Sequence, residues 1–458
     1  MAVQVLLNSA GCAWNKWFLR VFIIVLLQGC ATSAQKTAGM RQFIAQSQYD
    51  LALLEAEKQL ADDNGVMQYM NVGVLRRLNG DYRGSNQAFA QAKQKIDDLY
   101  ATSVSEQAGA LLVNDEVISF EGDKFEQVLI HLYMASNFLN LHDIDAARVE
   151  LLQSQVKMDA WDKPEDEVPF MHYFSGIIFE ILGEPDAALV SYRKAVNAYT
   201  STRDQHGLGV PSVLQSDLLR LLEKLQLANE LSEYRKQFGS EPAQSTERAT
   251  RGELVVVLGN GMAPQRNQIT IHTWSPELLA NIKIAVPAYR APPAKLNSAR
   301  LRISDAYYPL EVVANIDAMA RAALSEKMPI IIARAIARAV AKKKTEKKVG
   351  KQNDYAQLIM LIVNFSTEIA DTRSWSTLPQ EFELARVLLP EGEYNVAIEL
   401  VNGGGGVVDT IREKVIIEVG RISVLSKRWT APVSKNKIDR PAETGSSVEK
   451  PVSTASPS

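Results

Sequence analysis

Three segments of the sequence share one six-residue pattern at identical spacing. Each has a bulky residue, a small residue four positions later, a turn residue, and then a small, a bulky and a second small residue. The members are Tyr69, Gly73, Gly80, Ser85, Phe89 and Ala92; His131, Ala135, His142, Ala147, Leu151 and Ser154; and His172, Gly176, Gly183, Ala188, Tyr192 and Ala195. Small side chains let two antiparallel helices approach closely, and the bulky side chain fills the groove between them. The pattern therefore predicts three helical hairpins.

The turn of two hairpins carries a glycine, Gly80 or Gly183, which can adopt the left-handed conformation that ends a helix. The whole pattern resembles the tetratricopeptide repeat, whose period is about 34 residues. Here His131 follows Tyr69 by 62 positions and His172 follows His131 by 41, so the copies are not tandem. We interpret residues 93–125 as an insertion between the first two copies. The resemblance implies a scaffold that binds other proteins, and it implies no enzyme.

Composition narrows the function further. The 458 residues carry a net charge of −3, and that near-neutral balance does not indicate a nucleic-acid partner. The five histidines are dispersed and indicate neither a metal site nor a cofactor; His131 and His172 occupy the same repeat position, so we interpret them as packing residues. Ser191-Tyr-Arg-Lys194 matches the S-x-x-K motif of penicillin-recognising enzymes, but it lies beside the packing residue Tyr192 without the companion motifs. We expect a solvated helix face there and no catalytic residue.

The start of the chain indicates export. Lys16 and Arg20 precede an apolar run, residues 21–27, that is too short for a permanent membrane helix. The following Leu27-Gln28-Gly29-Cys30 resembles the bacterial lipoprotein signal, which implies that Cys30 is lipidated, with palmitate among its acyl chains. The alternative is an ordinary signal peptide with a chance cysteine. Ala31 in place of Asp favours, by resemblance to the bacterial sorting rule, the outer membrane and a chain that faces the periplasm.

Periodicity changes from helical to alternating near residue 253. The predicted fold class is multidomain, α plus α+β, with a TPR-like helical-hairpin solenoid followed by a mainly antiparallel β domain that carries a helical insertion. The predicted segments are a signal peptide 1–29, a tether 30–39, the helical repeat domain 40–239, a linker 240–252, the α+β domain 253–429 with its insertion 314–370, and a disordered tail 430–458.

Two stretches of the second domain are candidates for a further surface. Arg334, Arg338 and Lys342 recur every four residues, roughly opposite an apolar stripe of the same predicted helix. This helix either rests on the sheet with its basic face in water or touches an anionic surface such as phospholipid or a cell-wall polymer. The junction 371–379 contains Arg373 and Trp375, which form either a structural corner with Trp375 buried or an exposed binding feature.

The lipoprotein signal, the degenerate repeats and the Thr-Arg-Ser-Trp-Ser-Thr-Leu-Pro run at 372–379 together resemble an uncharacterised family of proteobacterial outer-membrane lipoproteins. The family has no assigned activity that the resemblance could transfer. It is found in the company of lipoproteins that activate cell-wall synthases, which indicates a role in the cell envelope.

Stacked hairpins leave a concave face lined by the first helix of each pair. The polar residues not committed to packing there are Asn71, Arg76, Asn137, Asn140 and Glu180. Such a surface suits an extended peptide or a partner helix. The alternative is that these side chains are solvated and that the groove is filled by residues 93–125 or by the second domain.

These observations favour a lipid-anchored periplasmic adaptor that binds cell-envelope proteins through its repeats and touches the membrane through its anchor. The alternatives are a cell-wall enzyme or activator of a cell-wall synthase, and a structural subunit of a secretion or surface-assembly complex.

The anchor is directly testable. We expect palmitate to label the wild-type chain in growing cells and Cys30→Ala to abolish the label, because the thiol is the acylated atom. Gel fluorography after metabolic labelling measures both proteins, and the precursor of the variant should remain uncleaved. An unlabelled wild-type chain would instead support the ordinary signal peptide.

Overall fold

A computed structural model describes residues 33–63, 65–110, 119–161, 163, 166–239, 250–276, 280–289, 298–349 and 369–430. For residues 101–110, 280 and 342–349 it describes the backbone alone. The predicted signal peptide with Cys30, most of the linker, residues 350–368 of the helical insertion, and the tail from residue 431 lie outside the described residues. Within them, none of the helices is both long enough and apolar enough to cross a membrane.

In the described residues up to Gly239, the regular secondary structure is entirely helical. Its helices are α1 (Ser33–Lys36), α2 (Ala38–Ala45), α3 (Tyr49–Asp62), α4 (Val66–Leu78), α5 (Tyr82–Ala110), α6 (Lys124–Asn140), α7 (Ile144–Asp159), α8 (Pro169–Ile181), α9 (Pro185–Ser201), α10 (Arg203–His206), α11 (Ser212–Lys224) and α12 (Ala228–Phe238). The array begins at Ser33, so most of the predicted tether 30–39 is helical, and Thr37 within it is buried.

The described part of the chain contains five antiparallel hairpins, formed by α2 with α3, α4 with α5, α6 with α7, α8 with α9, and α11 with α12. Each turn holds one residue in the left-handed conformation; these residues are Ser47, Gly80, His142, Gly183 and Gln226. In every turn this residue donates its N–H to the carbonyl three residues back, and the next residue donates to the carbonyl five residues back. The five turns therefore share one helix-ending geometry, and the hairpins outnumber the three that the spacing predicts.

Close helix contact follows the predicted small and bulky positions. A Cβ atom added to Gly73 would lie 2.5 Å from a ring carbon of Phe89, and one added to Gly176 would lie 2.2 Å from a ring carbon of Tyr192. The aromatic rings thus occupy the space that glycine leaves open. The interpretation of residues 93–125 as an insertion is wrong for its first part, because α5 continues as one helix to Ala110.

The second part of the chain forms two four-stranded sheets and a hairpin. Its elements are β1 (Arg251–Asn260), β2 (Arg266–Ser275), β3 (Ala280–Tyr289), β4 (Ser298–Ile303), β5 (Ala306–Pro309), β6 (Glu311–Asn315), α13 (Ile316–Val349), β7 (Glu381–Pro390), β8 (Gly392–Val401), β9 (Val407–Ile417) and β10 (Ile422–Trp429). The strand order of the first sheet, which we call sheet A, is β10-β1-β7-β6. The second, sheet C, has the order β5-β4-β8-β9, and β2 pairs with β3 alone. Neighbouring strands are antiparallel except β1 and β10, which run parallel.

Sheet A is the middle layer of the molecule. Along β1, Leu254, Val256 and Leu258 pack against sheet C, whereas Val255 and Val257 pack against the helices. Burial on both faces explains why this strand is a continuous apolar run and not an alternating one. The helical array and sheet A consequently share one hydrophobic core.

The helix α13 lies on the β2–β3 hairpin, where Ile332, Ile336 and Ala335 pack against strand β3. The prediction that Arg338 belongs to a solvated basic face is wrong, since this side chain is 2% exposed. Arg334 is half-buried, and the side chain of Lys342 lies outside the described residues. The basic stripe is therefore not a continuous open surface over Arg334 and Arg338.

Candidate functional site

The concave face of the helical array is filled by the chain's own β domain. Trp375, in the junction between α13 and β7, is 1% exposed, which confirms that it is buried. Its ring lies 6.0 Å from the ring of Phe89 and 5.7 Å from that of Tyr133, and Phe382 of β7 lies 6.2 Å from Tyr133. The aromatic side chains of the junction and of β7 thus interleave with those of the helices.

Polar contacts tie the same junction to the helices. The backbone N–H of Trp375 donates to Oε1 of Glu126 at 2.8 Å. Arg41 of α2 donates to the carbonyl of Ser376 at 2.7 Å, and Thr377 Oγ1 donates to Asn71 Oδ1 at 3.1 Å. Each buried polar group of the junction in these contacts has a partner on the array, which favours one docked arrangement.

The predicted partner-binding residues separate into two groups. The prediction that Asn71, Asn137 and Glu180 lie on an open concave face is wrong, because the first two are at most 2% exposed and Glu180 binds Arg386 of β7. Asn137 donates to Ser85 and Asn86 at 2.8 Å and accepts from Arg77. Their polarity serves contacts inside the chain.

Arg76 and Asn140 are the remaining two. Arg76 forms an ion pair with Glu57 at 2.9 Å, with 30% of its side chain exposed. Asn140 is exposed and donates to the carbonyl of Ser136. Both side chains are accessible to solvent because they lie outside the filled groove.

A buried ion network lies between the array and sheet A. Nη1 of Arg386 lies 2.9 Å from Glu180 of α8 and 2.9 Å from Asp217 of α11, and its Nε donates to Glu253 of β1. Arg220 adds a second guanidinium, 2.6 Å from Glu180 and 3.3 Å from Asp217. Two arginines therefore face three carboxylates across the boundary between helices and strands.

The environment of this network shifts the titration of its members. Burial alone would raise the pKa of Glu180, but Arg386 and Arg220 outweigh it and hold that pKa well below its usual range. Burial raises the pKa of Tyr173 and Tyr192, and the neighbouring carboxylates Asp217 and Glu180 respectively raise it further. The network thus keeps Glu180 charged and the two phenols neutral, so both phenols remain hydrogen-bond donors.

A second buried cluster fixes the start of α6. Asp123 caps this helix together with Glu126, and its carboxylate binds Arg266 of β2 and Lys327 of α13. Burial and the charge of Asp123 raise the pKa of Glu126 to about 7, although its oxygens accept N–H groups from Asp123 and Trp375. Arg266 also donates to the carbonyl of Arg373, so this cluster again joins helices, hairpin and junction.

An open cleft of about 1100 Å³ remains where the array meets the outer strand of sheet A. One wall is the end of α6 and the turn after it, including Leu139, Asn140 and Ile144. The opposite wall is β10 with the turn before it, from Gly420 to Val424, and Lys224 of α11 lies at the side. The buried network forms its base through Glu180, Arg220 and Glu253. Most of its lining side chains are polar or charged, and apolar ones such as Leu139, Ile144 and Ile416 lie among them. The cleft therefore offers both apolar contacts and charged groups to a ligand.

The remaining predicted second-surface residue, Arg373, binds Asp371 at 2.8 Å and lies over the ring of Phe120. Sequence reasoning did not identify Arg386, Asp217 or the edge of β10. One signal was present: Arg386 is the only positive charge in the otherwise mostly apolar run 382–389.

The acidic side chains and the histidines are the candidate ligands for a metal ion. The described residues contain no group of three or more His, Cys, Asp or Glu side chains placed to hold one. His131 and His172 are buried as packing residues, yet each also contacts a glutamate at 2.7 Å, Glu150 and Glu167 respectively.

The chain shows little similarity to known proteins in sequence or in structure. No protein-family model matches the sequence, and no curated protein matches it. Among solved structures, MamA is 12% identical with a TM-score of 0.29, and the match covers 43% of this chain and 91% of MamA. PilF of Pseudomonas aeruginosa is 13% identical with a TM-score of 0.30, covering 46% and 78%.

A third solved structure, of TPR-like repeats from a Podospora anserina kinesin light chain, is 14% identical with a TM-score of 0.31, covering 44% of this chain and 90% of that one. These structures are not the basis on which we describe the chain as a series of helical hairpins. That description rests on the turn geometry that the five described hairpins share.

The ion network generates a prediction for stability. Arg386→Met should lower the free energy of unfolding by roughly 3–5 kcal/mol, because it leaves three buried carboxylates without their shared cation. Arg193→Met, which breaks the more exposed pair with Glu230, should cost below about 1 kcal/mol. Urea titration measures both.

The pKa of Glu180 determines in which direction the stability contributed by the network changes with pH. The pKa of Glu180 is depressed in the folded state, so its stabilisation is present above the unfolded value of about 4.3 and is lost as pH falls. The difference between wild type and Arg386→Met should therefore shrink below about pH 4. A difference that stays constant from pH 7 to pH 3 would contradict the charge network as its cause.

Proposed function

We propose that the protein is a lipid-anchored adaptor of the periplasm that binds partner proteins of the cell envelope. The observation that carries the proposal is the open cleft beside β10, on a molecule whose concave repeat groove is already filled. Helical-hairpin arrays commonly serve as protein-binding surfaces. In this protein the groove is filled, and the accessible concave surface is instead the cleft between the helical array and sheet A.

The shared core and the two buried ion clusters support a scaffold role. They join helices and strands into one body, so the two walls of the cleft have fixed relative positions. A preformed site loses less conformational freedom on binding than a mobile one, which favours affinity. The cleft combines apolar side chains such as Leu139 and Ile144 with charged ones such as Lys224 and Arg421.

The anchor and the location rest on the sequence. Leu27-Gln28-Gly29-Cys30 supports lipidation, and Ala31 supports the outer membrane. We propose a binding role and no catalytic one, because the described residues of the cleft present ion pairs that hold the fold and no paired nucleophile and base.

The proposal is tested by affinity capture with the full, lipid-anchored chain tagged at its C-terminus. Ile416→Asp combined with Lys224→Glu changes two accessible side chains of the cleft; Ile416 is 63% exposed. This variant should lose at least one envelope protein that the wild-type chain captures, because a charge replaces an apolar contact and another charge is reversed. Mass spectrometry of the captured proteins is the measurement.

The control for Ile416→Asp is Val156→Asp, which also replaces an apolar side chain by aspartate. Val156 is 70% exposed on α7 and lies outside the cleft. Both variants are first checked for an unchanged Tm. If the cleft variant and the control capture the same proteins as wild type, the cleft is not a partner site.

A further inference from the structure

Strand β10 is an edge strand, and its open edge lines the cleft. Within the described residues it pairs with β1 on one side and with no strand on the other. Residues Arg421 to Val424 and Ser426 contribute to the cleft wall. An edge strand presents a row of N–H and C=O groups that can pair with another chain.

The ladder with β1 shows which backbone groups are left over. Glu253 donates its N–H to the carbonyl of Arg421 at 2.9 Å, and Gly261 donates to that of Trp429 at 3.1 Å. With the parallel register of the two strands, the odd-numbered residues of β10 therefore bond to β1. The N–H and C=O groups of the even-numbered residues, Ile422 and Val424 within the cleft, point the opposite way.

The far end of this open edge is limited by the array. Arg77 of α4 donates to Oγ of Ser426 at 3.0 Å, so a helical side chain already contacts the strand there. The accessible stretch is short, and it offers two N–H and two C=O groups from Ile422 and Val424. Those groups suit about four to six residues of an added strand.

Apolar side chains lie on both sides of the open edge. Leu139, Ile144 and Ile181 line the helical side of the cleft, and Ile416 at the end of β9 lies on the side of sheet C. In an extended peptide successive side chains point to opposite faces. Alternate residues of a bound strand would therefore meet the helical wall and the sheet C wall.

We infer that the cleft binds an extended segment of a partner protein with both apolar and polar side chains, which adds to sheet A as a fifth strand beside β10. The inference rests on the proposed function and specifies its binding mode. The backbone groups of Ile422 and Val424 supply hydrogen bonds, and apolar residues on both walls, such as Leu139 and Ile416, contact the apolar side chains of the segment. The chain's own tail is a poor occupant, because it carries Pro432, Pro441, Pro451 and Pro457 and has no alternating apolar pattern.

Val424→Pro is the discriminating variant. It removes the outward N–H and keeps the ladder to β1, and an edge strand accepts proline where the N–H faces away from the sheet. Val424→Thr changes the side chain and keeps the N–H, so it is the matched control. The probe is a displayed library of random twelve-residue peptides, selected on the full wild-type chain, and Kd is then measured by calorimetry for the enriched peptides.

We expect the enriched peptides to bind roughly tenfold or more weakly to Val424→Pro and within about threefold to Val424→Thr, because backbone pairing and not side-chain contact is lost. A second measurement needs no variant. N-methylation of single peptide residues should weaken binding to wild type at every other position, which is the spacing of strand pairing.

The outcomes separate the inference from the proposed function. Peptides that lose binding to Ile416→Asp with Lys224→Glu but are indifferent to Val424→Pro and to N-methylation overturn strand addition and leave the cleft as a partner site. Failure to enrich any peptide on the wild-type chain also overturns strand addition. Binding that appears only after residues 431–458 are deleted assigns the edge to the chain's own tail and overturns it as well. Loss of the proposed function would show separately, as envelope capture that is unchanged by the cleft variant.

Discussion

Sheet A must be covered on both faces, and the rest of the molecule is arranged around that requirement. β1 is apolar on both sides, with Leu254 and Val256 turned one way and Val255 and Val257 the other. Exposure of either face would leave a large apolar surface in water, at a cost of about 25 cal/mol per Å². Sheet C covers one face, and the concave side of the helical array covers the other.

This arrangement explains why charged side chains such as Arg386 lie in the interior of the protein. Arg386 lies on the helical face of β7, on the same side as Phe382 and Leu384, where it meets carboxylates from α8 and α11. A buried ion pair contributes little net stability compared with an apolar contact of similar volume, but an unpaired buried charge is strongly unfavourable. The network therefore disfavours any displacement of the array relative to the sheet. It also makes the cleft beside β10 a fixed feature.

Much of the helical part could be predicted from sequence, because its signal is local. Gly73 with Phe89 and Gly176 with Tyr192 form the predicted close contacts, and Gly80 and Gly183 end helices as expected. The hairpins at Ser47 and Gln226 are harder to find because their helices lack the six-residue pattern of small and bulky positions; a turn without glycine is no obstacle by itself, since the pattern also predicts the hairpin at His142. The change to alternating periodicity near residue 253 likewise predicted a mainly antiparallel β domain, but not that β10 pairs with β1 in parallel.

The candidate site could not be predicted from local sequence patterns. Asn71 and Asn137 look like solvated groove residues in the sequence, and only the docked junction at Trp375 shows that they are internal partners. Arg338 similarly follows a regular basic stripe and is nevertheless buried. Which surface covers a polar helix face depends on contacts between residues hundreds of positions apart. A continuous apolar strand such as 254–258 indicates that a second covering layer exists, but it does not identify that layer.

Thiol accessibility shows whether the chain's own β domain fills the concave groove of the helical array. Single cysteines are placed at Asn71→Cys, inside the groove, and at Asn140→Cys, on the exposed end of α6, and the rate of maleimide labelling is measured on the folded, lipid-anchored chain. A filled groove predicts that Asn71→Cys reacts only after urea unfolds the protein, whereas Asn140→Cys reacts at once. Equal rapid labelling of both cysteines in the folded chain would contradict the account.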